Sequence, residues 1–166
     1  MTDKKLPATT KAALPADANL GGTREFITMY VDKQLFGIPV LQVQDVLGPQ
    51  KITAVPLAPK EVAGSLNLRG RIVTAIDVRI CLNLPPRGEG EKNMSVVADH
   101  GGEFYSLIVD QVGEVMALPA ADYEKTPATL DPRWREVSDG VYRLKDQLLI
   151  VLDVNKLLSF ETENAA

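Results

Sequence analysis

The 166-residue sequence predicts an all-β protein made of two small five-stranded barrels of one design, with short helical turns between strands. Three observations point there. The segment Gly64 to Val78, G-S-L-N-L-R-G-R-I-V-T-A-I-D-V, returns without a gap as Gly140 to Val154, G-V-Y-R-L-K-D-Q-L-L-I-V-L-D-V, at a shift of 76 positions (140 − 64). A second register, shifted by 69 (112 − 43), aligns Ile38 with Leu107, Val40 with Val109, Val43 with Val112, Asp45 with Glu114 and Val46 with Val115. Each copy then offers about five short apolar runs bounded by turn signals, and closing such a set leaves no long open edge.

Taken in order, residues 1–23 mix lysines, small residues, Pro7, Pro15 and Gly21-Gly22, with too few large apolar groups to offset the entropy of ordering; the expectation is a solvated tail, with a docking peptide as the functional alternative. The first barrel is expected over residues 24–86. F-I-T-M-Y-V is aromatic and β-branched enough for a strand, Asp32-Lys33-Gln34 turns the chain, and L-F-G-I-P-V is its partner. Pro39 lacks an amide donor and marks a strand end or edge before the short segment Leu41 to Leu47.

The repeated hairpin follows. Leu66 and Leu68 alternate with Ser65 and Asn67, Arg69-Gly70 supplies the turn, and Ile72 to Ile76 is an apolar run with β-branched residues. Asp77 closes the hairpin where its carboxylate can accept orphan amides and cap one helical turn, and Asp153 does the same in the second copy. Pro85-Pro86, Gly88 and Gly90 among charges mark a solvated connector over 87–92. The second barrel, expected over 93–160, repeats the grammar with M-S-V-V-A, the turn D-H-G-G, E-F-Y-S-L-I-V and D-Q-V-G-E-V, before a short tail at 161–166. The shifts differ because the connection Met116 to Asp139 is longer than Leu47 to Ala63, and its Pro- and charge-rich sequence has room for a helical turn.

Composition narrows the function. With 45% apolar residues the chain can fill a globular core, and no apolar run approaches the roughly 20 residues that cross a bilayer. The N-terminal stretch has no apolar segment of the secretory kind, and the single Cys81 precludes an internal disulfide; both fit a cytoplasmic protein. The 18 basic and 22 acidic residues leave a net charge of −4, against a nucleic-acid face that depends on phosphate contacts.

Catalysis has little to stand on. The one imidazole, His100, falls in the expected turn D-H-G-G, where a solvated turn residue is the simpler reading than a general base. One Cys and one His do not make a zinc site, no calcium loop is present, and R-G-E-G-E-K lacks the phosphate-cradling glycine spacing. No cofactor or metal is expected.

Surface chemistry remains. Val43, Val46, Val112 and Val115 occupy equivalent places, each near an acid, and are read either as strand core or as the lining of a groove where the barrels meet. Arg69 and Gly70 are read either as a turn pair, with glycine at positive φ and arginine in solvent, or as a rigidly held guanidinium that pairs with a partner's carboxylate.

F-G-I-P-V-L-Q-V-Q-D-V followed by V-A-G-S-L-N-L-R-G-R-I-V-T-A-I-D-V-R, then V-D-Q-V-G-E-V and L-L-I-V-L-D-V-N-K-L-L, closely resembles the bacterial chemotaxis coupling proteins of the CheW family and the related regulatory domain of the histidine kinase CheA, over about Glu25 to Phe160. The resemblance implies two SH3-like subdomains around a shared apolar interface and no enzymatic activity. It also implies two partners, the cytoplasmic tip of methyl-accepting chemoreceptors and the regulatory domain of CheA, with recruitment to membrane-associated arrays. Matched by motif, it places Val43, Asp45, Arg69, Val112 and Val115 at or near a receptor groove and Gly64 near a kinase contact. Two positions depart from the family pattern: Thr74 stands where a proline is common, and Asp45, where a glutamate is common, shortens the reach of an ion pair. A coupling protein of a non-flagellar chemosensory array is the nearest alternative. A small-barrel oligonucleotide binder is the alternative from another class, although only 5% of residues are aromatic.

Overall fold

The computed structural model describes residues 22–88 and 90–159; the tail expected at 1–23 lies outside them up to residue 21, while Thr23 already belongs to a strand, and the tail expected at 161–166 lies outside them entirely. The first half runs β1 (Thr23–Val31), β2 (Gln34–Pro39), β3 (Val43–Leu47), β4 (Val62–Leu68), β5 (Arg71–Asp77) and α1 (Val78–Cys81). The second runs β6 (Met94–His100), β7 (Glu103–Val109), β8 (Gln111–Pro119), α2 (Pro132–Val137), β9 (Ser138–Arg143), β10 (Leu148–Leu152) and α3 (Val154–Leu157). Apart from α2, which occupies the longer connection, each element of one half has a counterpart in the other at one of the two shifts.

Three hairpins turn on two residues with positive φ: Asp32-Lys33 at +50° and +74°, Arg69-Gly70 at +51° and +84°, and Gly101-Gly102 at +62° and +85°. Such turns match the right-handed twist of the flanking strands. They are tighter than the sequence suggested, since Gln34 already belongs to β2 and His100 ends β6.

The two sheets follow the orders β8-β1-β2-β10-β9 and β3-β6-β7-β5-β4. This corrects the expected division into contiguous barrels at 24–86 and 93–160: each sheet takes its first hairpin from one half and its remaining three strands from the other. The exchange is symmetric, because β10 runs parallel to β2 with Ile150 opposite Phe36, and β5 runs parallel to β7 with Thr74 opposite Tyr105. The exchange is possible because the hairpins β1-β2 and β6-β7 carry the same apolar alternation, so either satisfies the period-2 requirement of either sheet. The chain crosses between sheets twice, through the single 3-10 turn Val40–Gln42 and through Asp110.

Each sheet then closes on itself. Beyond β3 the chain returns to bridge β4, with Thr53 and Ser65 exchanging two backbone hydrogen bonds of 2.8 Å, and beyond β8 Glu124 and Val141 of β9 exchange two of 2.9 Å. The equivalent glycines Gly64 and Gly140 stand beside these closures. At Gly64, whose φ is +151°, a Cβ would lie 2.7 Å from Ile52 Cγ2, 2.8 Å from the Thr53 carbonyl carbon and closer still to its oxygen.

Strand alternation sorts the apolar residues into three layers. Phe26, Leu35, Leu118, Tyr142, Leu149 and Val151 fill one barrel, and Leu66, Val73, Ala75 and Ile108 the other. The opposite strand faces, among them Met29, Phe36, Ile38, Ile76, Val96, Leu107, Ile150 and Leu152, form the larger core between the barrels. In β10 the alternation is complete: Leu149 and Val151 face into the barrel, Ile150 and Leu152 into the seam. Helix α2, capped by Asp131 and started by Pro132, seals one end of the seam. Arg133 Nε donates to Cys81 O at 2.7 Å and Trp134 Nε1 to Leu82 O at 3.0 Å, satisfying carbonyls left open at the end of α1.

The exchange makes the halves interdependent. Polypeptides 1–88 and 89–166 produced separately are each expected to lack a cooperative thermal transition, because neither contains a complete sheet. Mixed, they should recover β circular dichroism and co-elute as one species; independent folding of either piece would contradict the topology.

Candidate functional site

Val43 and Val46 lie three apart on β3, a spacing that puts side chains on opposite faces of a regular strand. A bulge between Val43 and Asp45 changes this, and a matching irregularity occurs where β8 pairs with β1. Directly paired residues share a face. Val43 lies opposite Ala98, Val46 opposite Val96, Val112 opposite Met29 and Val115 opposite Ile27, and all four of those partners belong to or pack on the seam core. The four valines are therefore seam-facing. Val43 and Val112 are half-buried against that core, whereas Val46 is 37% exposed and Val115 55%. Core and surface readings both apply, one to each member of a pair.

Arg69 and Asp45 meet. Arg69 sits at the tip of the β4-β5 hairpin, and barrel closure brings that tip beside β3, where Arg69 Nη2 stands 2.7 Å from Asp45 Oδ2. The shorter aspartate reaches the guanidinium, and its other oxygen accepts from the Val46 amide at 2.8 Å. Arg69 remains 74% exposed at its side chain, against 24% for Asp45. Asp45 pairs across the sheet with Val97, so it occupies the face of β3 opposite the valines. One edge strand thus presents valines on one side and an ion pair on the other.

The remaining residues singled out in the sequence serve the chain's own closure, turns and caps. Gly64 is buried at the closure and offers no side chain to a partner. Gly70 completes the turn, its amide donating to Asn67 Oδ1 at 3.0 Å. Asp77 Oδ1 accepts from the Arg79 amide at 3.0 Å, and Asp153 Oδ1 accepts from Asn155 at 2.9 Å and Lys156 at 3.3 Å, capping α1 and α3.

Sequence reasoning missed a charge cluster at the connector. The Asp110 carboxylate accepts from Arg79 Nε at 3.0 Å and Nη2 at 2.7 Å, from Arg87 Nε at 2.9 Å and from the Asp32 amide at 2.7 Å. Arg87 also reaches Asp77 at 3.4 Å, and Arg79 Nη1 donates to Pro85 O at 3.0 Å, so the connector is tied down and not simply solvated. Burial pushes the Asp110 carboxyl upward, but the Arg79 hydrogen bonds, the Asp32 amide and the two positive charges outweigh it and hold it below its ordinary value. Also missed was the β3-β4 loop, where Val55 is 44% exposed and Leu57 fully exposed at a φ of +64°.

Burial pushes the Cys81 thiol up to about 12, which removes the thiolate a nucleophile requires. His100 Nδ1 lies 2.7 Å from Asn155 Oδ1, and its ring meets Tyr105 edge-on. Among the described residues no group of three or more His, Cys, Asp or Glu is placed to hold a metal ion. Phe26, Phe36 and Tyr142 are buried and Phe104 lies under Arg71, so none of these is a free platform for stacking bases.

The CheW-like domain family matches residues 25–162. Chemotaxis protein CheW of Klebsiella aerogenes is 30% identical over 138 residues, covering 83% of either chain. Probable chemotaxis protein CheW of Rhizobium etli is 26% identical over 145 residues, covering 87% of this chain and 93% of that one. Among solved structures, scaffolding protein TtCheW from Thermoanaerobacter tengcongensis superposes with a TM-score of 0.74 at 25% identity, over 81% of this chain and 92% of that one.

Proposed function

The chain belongs to the CheW-like domain family, and from that premise we propose that it is a non-enzymatic adaptor of bacterial chemotaxis, coupling the cytoplasmic tip of methyl-accepting chemoreceptors to the regulatory domain of the histidine kinase CheA. The observation that carries this reading is the Arg69–Asp45 pair, an exposed guanidinium held in place on an edge strand whose other face turns valines toward the seam. A receptor hairpin offers apolar side chains for Val46 and Val115, with Val43 and Val112 behind them, and acceptors for Arg69. The kinase contact expected beside Gly64 falls to the neighbouring loop, because a residue without a side chain lets Ile52 and Thr53 lie against β4 and so presents Val55 and Leu57 to solvent. The protein works in the cytoplasm and reaches the membrane through its receptor; among the described residues no helix is long and apolar enough to cross one.

Regulation follows from linkage. An adaptor alters kinase activity only if its contacts differ in free energy between the active and inactive kinase, since equal affinity for both shifts nothing. The test is reconstitution of CheA with receptor-containing membranes. Adding this protein should raise CheA autophosphorylation, and attractant should then lower it. Autophosphorylation that is indifferent to the protein would reject the proposal.

A further inference from the structure

The chain's two crossings between sheets are equivalent by the repeat but differ in chemistry. The 69-residue shift makes Leu41, in the Val40–Gln42 crossing, the counterpart of Asp110, and the 76-residue shift makes Asn155 the counterpart of Arg79. The Asp110 carboxylate accepts four hydrogen bonds, two from Arg79 and one each from Arg87 and the Asp32 amide, while its own amide donates to Tyr30 O at 3.1 Å. Leu41 is 94% exposed and has no polar group to hold, and Asn155 is turned instead to His100. Among the described residues, charge pins the seam at the Asp110 crossing and not at Val40–Gln42.

Resting on the docking reading above, we propose that Asp110 is a positioning residue whose grip fixes the angle between the two barrels and thereby the presentation of Val112 and Val115 on the strand it begins. The geometry suits that task. A bidentate guanidinium–carboxylate pair is directional, and here it joins α1, the connector, the β1-β2 turn and the start of β8 at a single carboxylate. Without that carboxylate, two largely buried guanidinium groups lose their shortest contacts, Arg79 keeping the Pro85 carbonyl and Arg87 the longer contacts to Asp77 and Ile108 O, which favours opening of the crossing. The Val40–Gln42 crossing carries no such clasp to resist the resulting rotation.

The test places spin labels on exposed sites of the two barrels, at Lys51→Cys and Lys145→Cys, with buried Cys81 left unlabelled. Dipolar distance distributions are recorded for the parent and for Asp110→Asn, at a temperature where far-ultraviolet circular dichroism shows the variant folded. The expected result is a broadened or displaced distribution, together with about tenfold weaker capture of a purified chemoreceptor cytoplasmic hairpin. Arg87→Gln keeps the Arg79–Asp110 pair and should show a smaller change in the same direction; it replaces Asp110→Asn if that variant does not fold. An unchanged distribution in the folded variant overturns the proposal whatever happens to the melting temperature. A broadened distribution with unchanged capture overturns the link to docking. Arg69→Glu, which touches neither crossing, tests the docking reading separately.

Discussion

Gly64→Ala should cost roughly 3 kcal/mol or more, a large part of the stability of a domain this size, and lower the melting temperature by many degrees. Two effects combine. A φ of +151° is unfavourable for any residue with a Cβ, and the new methyl meets Ile52 Cγ2 and the Thr53 carbonyl, backbone that cannot withdraw without breaking the bridge to Ser65. At the equivalent position the obstacle is different, since a Cβ at Gly140 strikes the ring end of Tyr123, whose hydroxyl donates to Asp139 O. A side chain can swing aside, so Gly140→Ala should be the milder change. Urea unfolding of the two variants checks the order; equal losses would show that the Thr53–Ser65 bridge yields as readily as a tyrosine ring. Because closure also shapes the β3-β4 loop, Gly64→Ala should weaken kinase binding indirectly.

Arg69→Glu should abolish measurable receptor engagement while leaving unfolding nearly unchanged. The ion pair itself contributes little to stability, under about 1 kcal/mol, because Arg69 is mostly exposed. Reversal also sets a second carboxylate beside Asp45, which turns an attractive edge repulsive. Loss of a central arginine contact typically costs about 2 kcal/mol or more, roughly thirtyfold in affinity, and the added repulsion increases it. The pair of substitutions Asp45→Arg and Arg69→Asp restores the internal bridge with inverted polarity. If the pair only stiffens the hairpin tip, that double variant should bind; if Arg69 itself meets the receptor, it should not. Binding to receptor membranes, measured beside the melting curves, separates the cases, and full binding by a folded Arg69→Glu protein would remove this residue from the docking surface.

Much of the architecture was legible because period-2 alternation and turn chemistry are local. The two shifts placed the strands, and Asp77 and Asp153 could be read as caps because the carboxylate and the amides it accepts from are at most three residues apart. The strand exchange was not legible. Equivalent hairpins satisfy equivalent sheets, so pattern alone does not choose between a barrel closed within one half and one closed across both. The Asp45–Arg69 bridge was hidden for a related reason, since β3 meets the β4-β5 tip only after closure. Arg79, Arg87 and Asp110 lie in a helix, a connector and a strand junction, and no periodicity links them. What approaches Gly64 was not legible, because a strand glycine signals close approach without naming the neighbour, and here it is the chain's own Thr53.

The adaptor reading requires two faces to be occupied at once. Purified protein, a chemoreceptor cytoplasmic hairpin and the CheA regulatory domain, mixed and resolved by size-exclusion chromatography with light scattering, measure this directly. A single peak containing all three, reduced to protein plus kinase domain by Arg69→Glu, is the expected result. Mutually exclusive binding of the hairpin and the kinase domain would contradict it.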